Sequence, residues 1–201
     1  MSSVIRIVGS SRWWRAGLAA GMALIATTAA VLVTGPAQAQ RLRWSIEGWH
    51  PGMTGWGSGL VLDAANWGTT DGTPVQMWPR RPLGSSPPET NQRWYFDGAK
   101  ASSTIENLYA PGMCLDESAP RDGAAVYLYH CTGAKNQQWV FIDTGQLAPD
   151  GEGRNFLKNV KDARCLDVKD WNASQGALLQ VWTCRFDRNW NQMFNLSKAR
   201  T

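Results

Sequence analysis

Histidine is scarce in this chain, whose 201 residues include two, His50 and His130, together with four cysteines. No Cys-x-x-Cys pair is present and neither histidine has the spacing of a metal ligand, so the sequence predicts no zinc or other metal site. It also contains no candidate Ser-His-Asp set for nucleophilic catalysis. We therefore expect neither a cofactor nor a catalytic centre of these kinds.

The chain has almost no net charge outside its N-terminal segment. Three arginines precede an uncharged run and a small-residue motif: Arg6, Arg12, Arg15, residues 16–33 and Ala37-Gln38-Ala39. This order predicts a signal peptide at 1–39 and a secreted mature chain that begins at Gln40. An uncleaved membrane anchor is the alternative, because the uncharged run is long. The predicted mature chain has 17 basic and 16 acidic residues, and is close to neutral.

The predicted mature chain, 40–201, has no run of Lys and Arg, which argues against nucleic-acid binding. Its length is sufficient for one compact domain, and we expect a monomer that does not insert into a membrane. Ten tryptophans remain in it. So many large aromatic side chains in a small domain indicate that some of them face a ligand.

A short phrase, Asn-Gln-x-aromatic, occurs three times, at 91–94, 136–139 and 191–194. Each copy follows a Leu-Asp pair and then a glycine that opens an alternating segment. The aspartates are Asp63, Asp116 and Asp167, and the glycines are Gly72, Gly123 and Gly176. Landmarks that recur in one order indicate an internally repeated architecture. The repeats cover about 43–98, 99–145 and 146–201.

The four cysteines occupy equivalent positions in the second and third repeats. Cys114 and Cys165 precede Leu-Asp, while Cys131 and Cys184 lie two residues after the strand-end aromatic. Four cysteines allow three pairings. The first repeat has replaced both positions together, by a valine and an arginine, which indicates that the two positions are partners. We predict Cys114–Cys131 and Cys165–Cys184 disulfides, in keeping with an exported chain.

The segments between the landmarks alternate with period two and are bounded by Gly, Pro, Asn and Asp, which is typical of short strands. No mature segment has a helical stripe. Three all-β units that are each too small to bury an apolar face must share one core, and threefold packing of four-stranded units is a β-trefoil. The predicted core consists of Leu62, Val75, Trp94, Leu115, Val126, Trp139, Leu166, Leu179 and Phe194.

The repeated Cys-Leu-Asp, Gly-x-x-(Val/Leu) and Gln-x-Trp motifs resemble those of the ricin-type β-trefoil lectins, which also occur as carbohydrate-binding modules of secreted glycosidases. The resemblance covers about 43–196. It implies a sugar pocket in each repeat, where the Asp, the strand-end aromatic and the Asn touch the sugar and the adjacent Gln supports the pocket. In the third repeat these residues are Asp167, Trp182, Asn191 and Gln192, joined by Gln180 on the same strand face as Trp182.

These residue types suit a neutral sugar, which has hydroxyls on one side and an apolar patch of C–H groups on the other. An Asp can accept from two vicinal hydroxyls, and the aromatic ring stacks on the C–H patch. The first repeat offers Asp63, Gln76, Trp78, Asn91 and Gln92, and the second offers Asp116, Tyr129, Asn136 and Gln137. The residue set is most complete in the third repeat, less complete in the first and least complete in the second. The loop before Asn91 is four residues longer than its third-repeat counterpart and could displace Asn91, and Tyr127 replaces the strand Gln of the second repeat.

A purely structural role is the competing explanation, because Asp can cap a turn and Asn-Gln can satisfy loop backbone. It does not explain Trp78, Tyr129 and Trp182, which lie one residue out of phase with the inward-facing positions. Trp67 and Trp171 recur four residues after their Asp. They either widen the sugar platform or pack on a neighbouring loop.

The sequence thus predicts a carbohydrate-binding lectin without catalysis, and the resemblance implies galactose-type or related glycans or polysaccharides. Xylan-like and mannose-type ligands are the alternatives, because specificity depends on loop angles. A glycosidase needs one pair of carboxyl groups about 5–10 Å apart, whereas the acidic residues here repeat with the fold. The alternative function is a protein-binding trefoil, such as a protease inhibitor or the receptor-binding subunit of a toxin. Two glycosylation sequons, at Asn172 and Asn195, are meaningful only in a eukaryotic secretory pathway.

Overall fold

Short strands and single turns of 3₁₀ helix make up the structure, a computed structural model that describes residues 43–48, 59–97, 100–147, 153–187 and 190–198. The strands are β1 Arg43–Gly48, β2 Leu60–Ala64, β3 Thr73–Pro79, β4 Trp94–Tyr95, β5 Ser103–Thr104, β6 Glu106–Asn107, β7 Met113–Glu117, β8 Ala124–His130, β9 Gln138–Leu147, β10 Gly153–Asn159, β11 Cys165–Val168, β12 Ala177–Trp182 and β13 Phe194–Lys198. The 3₁₀ turns are Ala65–Trp67, Glu89–Gln92, Lys135–Gln137, Lys169–Trp171 and Trp190–Gln192.

The predicted signal peptide and its cleavage site lie outside the described residues. Within the described ranges, no helix is long and apolar enough to cross a membrane.

Each repeat contributes one hairpin in which the Leu-Asp strand pairs with the alternating strand: β2 with β3, β7 with β8 and β11 with β12. In β3 and β8 every second residue is buried, as the period-two pattern predicts. The register places Asp167 opposite Gln180, and Asp63 opposite Gln76. The hairpin therefore brings together two polar residues that are 13 positions apart in the sequence.

The three hairpins pair with one another in a closed ring, β3 with β8, β8 with β12 and β12 with β3. A turn glycine at each junction donates its N–H to a neighbouring repeat: Gly72 to Leu128 O at 2.9 Å, Gly123 to Val181 O at 2.9 Å and Gly176 to Met77 O at 2.8 Å. These glycines have φ values of 80–84°, where a side chain would be strained. The ring has the approximate threefold symmetry of the predicted β-trefoil.

One core is shared by the three repeats. All nine predicted core side chains are at most 2% exposed and belong to one cluster. Trp94 and Trp139 also donate Nε1–H to the carbonyl oxygens of Leu62 and Leu115, each at 3.1 Å. The aromatic residue that ends each Asn-Gln phrase therefore fills the core, and in two repeats it also satisfies a buried carbonyl.

Both predicted disulfides, Cys114–Cys131 and Cys165–Cys184, are present and close the hairpins of the second and third repeats. In the first repeat Arg80 stands at the second cysteine position. Its Nη2 donates to Glu47 Oε2 at 2.7 Å and to Ser197 Oγ at 3.2 Å. A charged contact to β1 and β13 thus replaces the covalent link.

Candidate functional site

In the third repeat, three amide side chains surround the Asp167 carboxylate. Gln180 Nε2 donates to Oδ1 at 2.8 Å, while Asn191 Nδ2 and Gln192 Nε2 donate to Oδ2 at 2.8 and 3.0 Å. Gln180 comes from the paired strand, and the 3₁₀ turn Trp190–Gln192 supplies the other two residues. The structure therefore brings together the four polar residues that the sequence nominated for this repeat.

The first repeat has the same network: Gln76, Asn91 and Gln92 donate to Asp63 at 3.1, 2.8 and 3.0 Å. Asn91 is thus not displaced by the longer loop before it. Gln92 holds that loop near its base, since its Nε2 donates to Pro79 O at 2.9 Å and its Oε1 accepts from the Arg81 backbone N–H at 2.9 Å. The longer loop lies between Arg81 and Gln92, and it leaves the network intact.

The second repeat has a smaller network. Asn136 Nδ2 and Gln137 Nε2 both donate to Asp116 Oδ2 at 2.9 Å. Tyr127 lies opposite Asp116 in the strand pair, so this hairpin has no amide corresponding to Gln180. Among the described residues, no side-chain amide donates to Asp116 Oδ1. The departure seen in the sequence therefore changes the site directly.

Burial changes the protonation of these carboxyl groups. It raises the pKa of Asp167 to about 6, against the opposing effects of hydrogen bonds from Gln180 and Gln192 and of the Arg185 charge. Burial also raises the pKa of Asp63 and of Asp116 above the ordinary value. Three buried aspartates in equivalent places fit two roles: each can hold the amide side chains of its repeat in place, and each can bind a ligand.

A cleft of about 120 Å³ opens beside the third-repeat network. Its lining includes all five residues that the sequence nominated there, and three more: Asp167, Gln180, Trp182, Asn191 and Gln192, with Asp170, Trp171 and Arg185. The carboxylate and a partly exposed indole ring thus face one open space. This combination can accept a hydroxyl and stack on an apolar patch of the same molecule.

The strand-end aromatics Trp78, Tyr129 and Trp182 are all partly exposed, whereas the residue that precedes each of them in its strand is buried in the core. Turn glycines of other repeats lie against the two indoles. A Cβ added at Gly123 would lie 3.6 Å from Trp182 Cζ3, and one at Gly176 would lie 3.8 Å from Trp78 Cζ3. The turns at which neighbouring hairpins pair therefore help to position the two indoles that we predict to stack on a sugar.

Sequence analysis did not identify Arg185 or Asp170 as cleft residues. A signal for Arg185 was present, since it follows Trp182 by three residues just as Arg81 follows Trp78. No repeat-wide pattern identifies Asp170, because the equivalent residue of the first repeat is Asn66. Both side chains come to line the cleft only when the loops are folded.

A further pair of acidic residues lies outside the pockets. Glu117 is 1% exposed and, when protonated, can donate a hydrogen bond to the Asp162 carboxylate. Burial, together with the adjacent Asp162 carboxylate, raises the pKa of Glu117 to about 8. A carboxyl group without solvent access does not contact a substrate, so this pair does not form a glycosidase site. The described part of the chain also contains no metal-binding cluster of three or more acidic, His or Cys side chains.

Comparison with known proteins identifies relatives of this fold. Residues 90–182 match the family described as ricin-type beta-trefoil lectin domain-like. Nigrin b from Sambucus nigra is 35% identical over 94 residues, which are 45% of this chain but 15% of the length of Nigrin b. The chain therefore spans a small part of that curated relative.

Two solved structures show the same fold over most of this chain. The designed threefold-symmetric protein ThreeFoil is 26% identical with a TM-score of 0.63, and the alignment covers 78% of this chain and 99% of ThreeFoil. The exo-β-1,3-galactanase 1,3Gal43A from Clostridium thermocellum is 24% identical with a TM-score of 0.62, covering 79% of this chain and 30% of the enzyme. The all-β trefoil and the resemblance to ricin-type lectins are confirmed.

Proposed function

We propose that this chain, with the ricin-type β-trefoil fold, is a secreted lectin that binds galactose-type or related glycans through up to three repeat pockets and has no catalytic activity of its own. The observation that carries the proposal is the third-repeat cleft, where the Asp167 carboxylate and the Trp182 ring line one opening. A disulfide next to the cleft suits an exported protein. The match to a lectin domain family supports the same function.

The hydrogen bonds already present limit what Asp167 can offer to a sugar. A carboxylate has about four acceptor positions, and three amide donors occupy three of them. One sugar hydroxyl, rather than the two expected from the sequence, therefore binds Asp167 Oδ1. Asn191 Oδ1 is buried and has no hydrogen-bond partner among the described residues. This oxygen is therefore an unused acceptor on a side chain that lines the cleft.

Several weak pockets on one rigid domain explain how such a lectin retains its ligand. A shallow site with one stacking ring and a few hydrogen bonds reaches only about millimolar affinity, near 4 kcal/mol. Two or three such sites raise the avidity for a multivalent surface by roughly 100-fold, provided that the ligands span the pockets. We therefore expect weak binding of free monosaccharide and strong retention on polysaccharide or on glycosylated surfaces.

A glycan array followed by titration calorimetry of single mutants tests this function. We expect retention on at least one glycan class, and a loss of affinity that is largest for Trp182→Ala, smaller for Trp78→Ala and smallest for Tyr129→Ala. Tyr109→Ala is the matched control, because Tyr109 is a 39% exposed aromatic residue that belongs to none of the three predicted residue sets and does not line the cleft. Far-ultraviolet circular dichroism should show that every variant is folded.

Binding that is unchanged in all three aromatic variants would show that these rings are structural. Capture of a protein partner, with no glycan retained on the array, would instead support the protein-binding alternative.

A further inference from the structure

Trp171 is an exposed aromatic residue at the edge of the third-repeat cleft. Its side chain is 45% exposed, and it lines the cleft together with Trp182. Trp190 supports it edge-on, with ring centroids 5.3 Å apart and an interplanar angle of 79°. The indole is thus braced from one side and open to solvent on another part of its surface.

The backbone that presents Trp171 has an uncommon conformation. Asp170 and Trp171 have φ values of 55° and 54°, in the left-handed region that residues other than glycine rarely adopt. Two consecutive residues of this kind in one short turn persist only where the surrounding structure maintains them. The turn exposes the indole, so burial of apolar surface does not account for its conformation.

The first repeat shows the same turn with a different outcome. Asn66 and Trp67 have φ values of 53° and 51°. The Arg81 guanidinium carbon, however, lies 3.8 Å from the centroid of the Trp67 ring, and Trp67 Nε1 donates to Pro88 O at 3.4 Å. Trp67 therefore packs on the longer loop of its own repeat, and a cationic side chain covers one face of its ring.

The second repeat has no aromatic at this place, because Pro120 occupies the position four residues after Asp116. Among the described residues, a tryptophan at this turn position that is exposed and lines a cleft is thus found only in the third repeat. The surroundings of this turn position thus differ among the three repeats, whereas the polar network is nearly the same in the first and third.

We propose, on the basis of the carbohydrate binding proposed above, that Trp171 forms a subsite for a second sugar unit. A galactose-type pyranose has one main apolar C–H patch, which Trp182 binds while the hydroxyl side meets Asp167. Trp171 then has no further apolar face of that sugar to bind, and it stacks on the sugar linked to the first one. The third repeat consequently selects disaccharides and longer chains, while the first and second repeats bind a single terminal sugar.

Titration calorimetry with matched monosaccharides and oligosaccharides tests the subsite. The probes are galactose with lactose, xylose with xylotriose, and mannose with mannotriose. The Trp78→Ala/Tyr129→Ala protein serves as background, because it leaves only the third-repeat pocket. For at least one pair we expect about tenfold tighter binding of the oligosaccharide, as the apolar area of one ring supports. Trp171→Ala should abolish that gain and leave monosaccharide affinity unchanged, and Trp171→Phe should restore most of the gain.

Trp67→Ala in the same background is the control, since Trp67 shares the turn but belongs to a disabled repeat. An oligosaccharide gain that survives Trp171→Ala would overturn the subsite and leave the lectin function standing. Equal loss of monosaccharide and oligosaccharide affinity would also overturn it, because Trp171 would then contact the first sugar. If the unmutated protein bound none of the six probes and no glycan on the array, both the lectin function and the subsite would be wrong.

Discussion

Sugar binding by the third repeat should depend on the ionisation of Asp167. Burial raises the pKa of Asp167 to about 6, so the group is about half protonated at pH 6 and about nine-tenths protonated at pH 5. A hydrogen bond to a charged group is worth about 1.5–3 kcal/mol and one between neutral groups about 0.5–1.5 kcal/mol. Protonation therefore removes on the order of 1–1.5 kcal/mol. Because about a tenth of the molecules are still ionised at pH 5, we expect affinity to fall about fivefold between pH 8 and pH 5.

The same pKa shift has the opposite sign for stability, which separates loss of binding from loss of fold. The pKa of Asp167 in the folded chain lies above its ordinary value of 3.8, so folding disfavours the ionised form. The resulting cost develops as the pH rises from about 3.8 to about 6, and it is constant above that range. Lowering the pH from 8 to 5 thus weakens binding while this group stabilises the fold.

Calorimetric titration from pH 5 to pH 8 in the Trp78→Ala/Tyr129→Ala background measures this dependence, with circular dichroism at each pH as the control for folding. Arg185→Gln gives a second, signed test. The Arg185 charge lowers the pKa of Asp167, so its removal should move the midpoint of the binding curve to higher pH. A flat affinity over the whole range, or a midpoint that moves to lower pH in Arg185→Gln, would refute the assignment of Asp167 as a charged acceptor.

Two further predictions concern stability. The pKa of Glu117 is about 8 in the folded chain against an ordinary 4.5. Glu117→Gln should therefore gain stability relative to the unmutated protein as the pH rises between these values, by roughly 4–5 kcal/mol at pH 8. Urea unfolding at several pH values measures this gain, and a stability difference that does not change with pH would contradict the prediction. Arg80→Ala should cost about 1–3 kcal/mol, because it leaves the 8% exposed side chain of Glu47 without its 2.7 Å partner. Lys100→Ala, which breaks a pair with 69% and 48% exposed side chains, should cost under about 0.5 kcal/mol in the same assay, and equal effects would argue against a structural role for Arg80.

Local spacing was sufficient to predict the trefoil, its core and its disulfides. The reason is that a period-two pattern assigns each strand residue to one face, and three in-register copies leave little freedom in how the hairpins pair. The partial exposure of Trp78, Tyr129 and Trp182 followed from the same phase argument. The Asp-Asn-Gln sets also assembled as the repeats implied, although their roles in sugar binding remain a prediction.

The spacing of residues in the sequence does not predict contacts between loops or between one repeat and another. Trp67 and Trp171 have equivalent positions and the same backbone conformation, yet Arg81 covers one ring and a cleft exposes the other. In the sequence, Glu117 is an ordinary polar residue that follows Leu-Asp. It is buried beside Asp162 because its hairpin packs against the third repeat. Such environments depend on distances across the tertiary fold, because side chains far apart in the sequence share a site only after the three hairpins have closed into a ring.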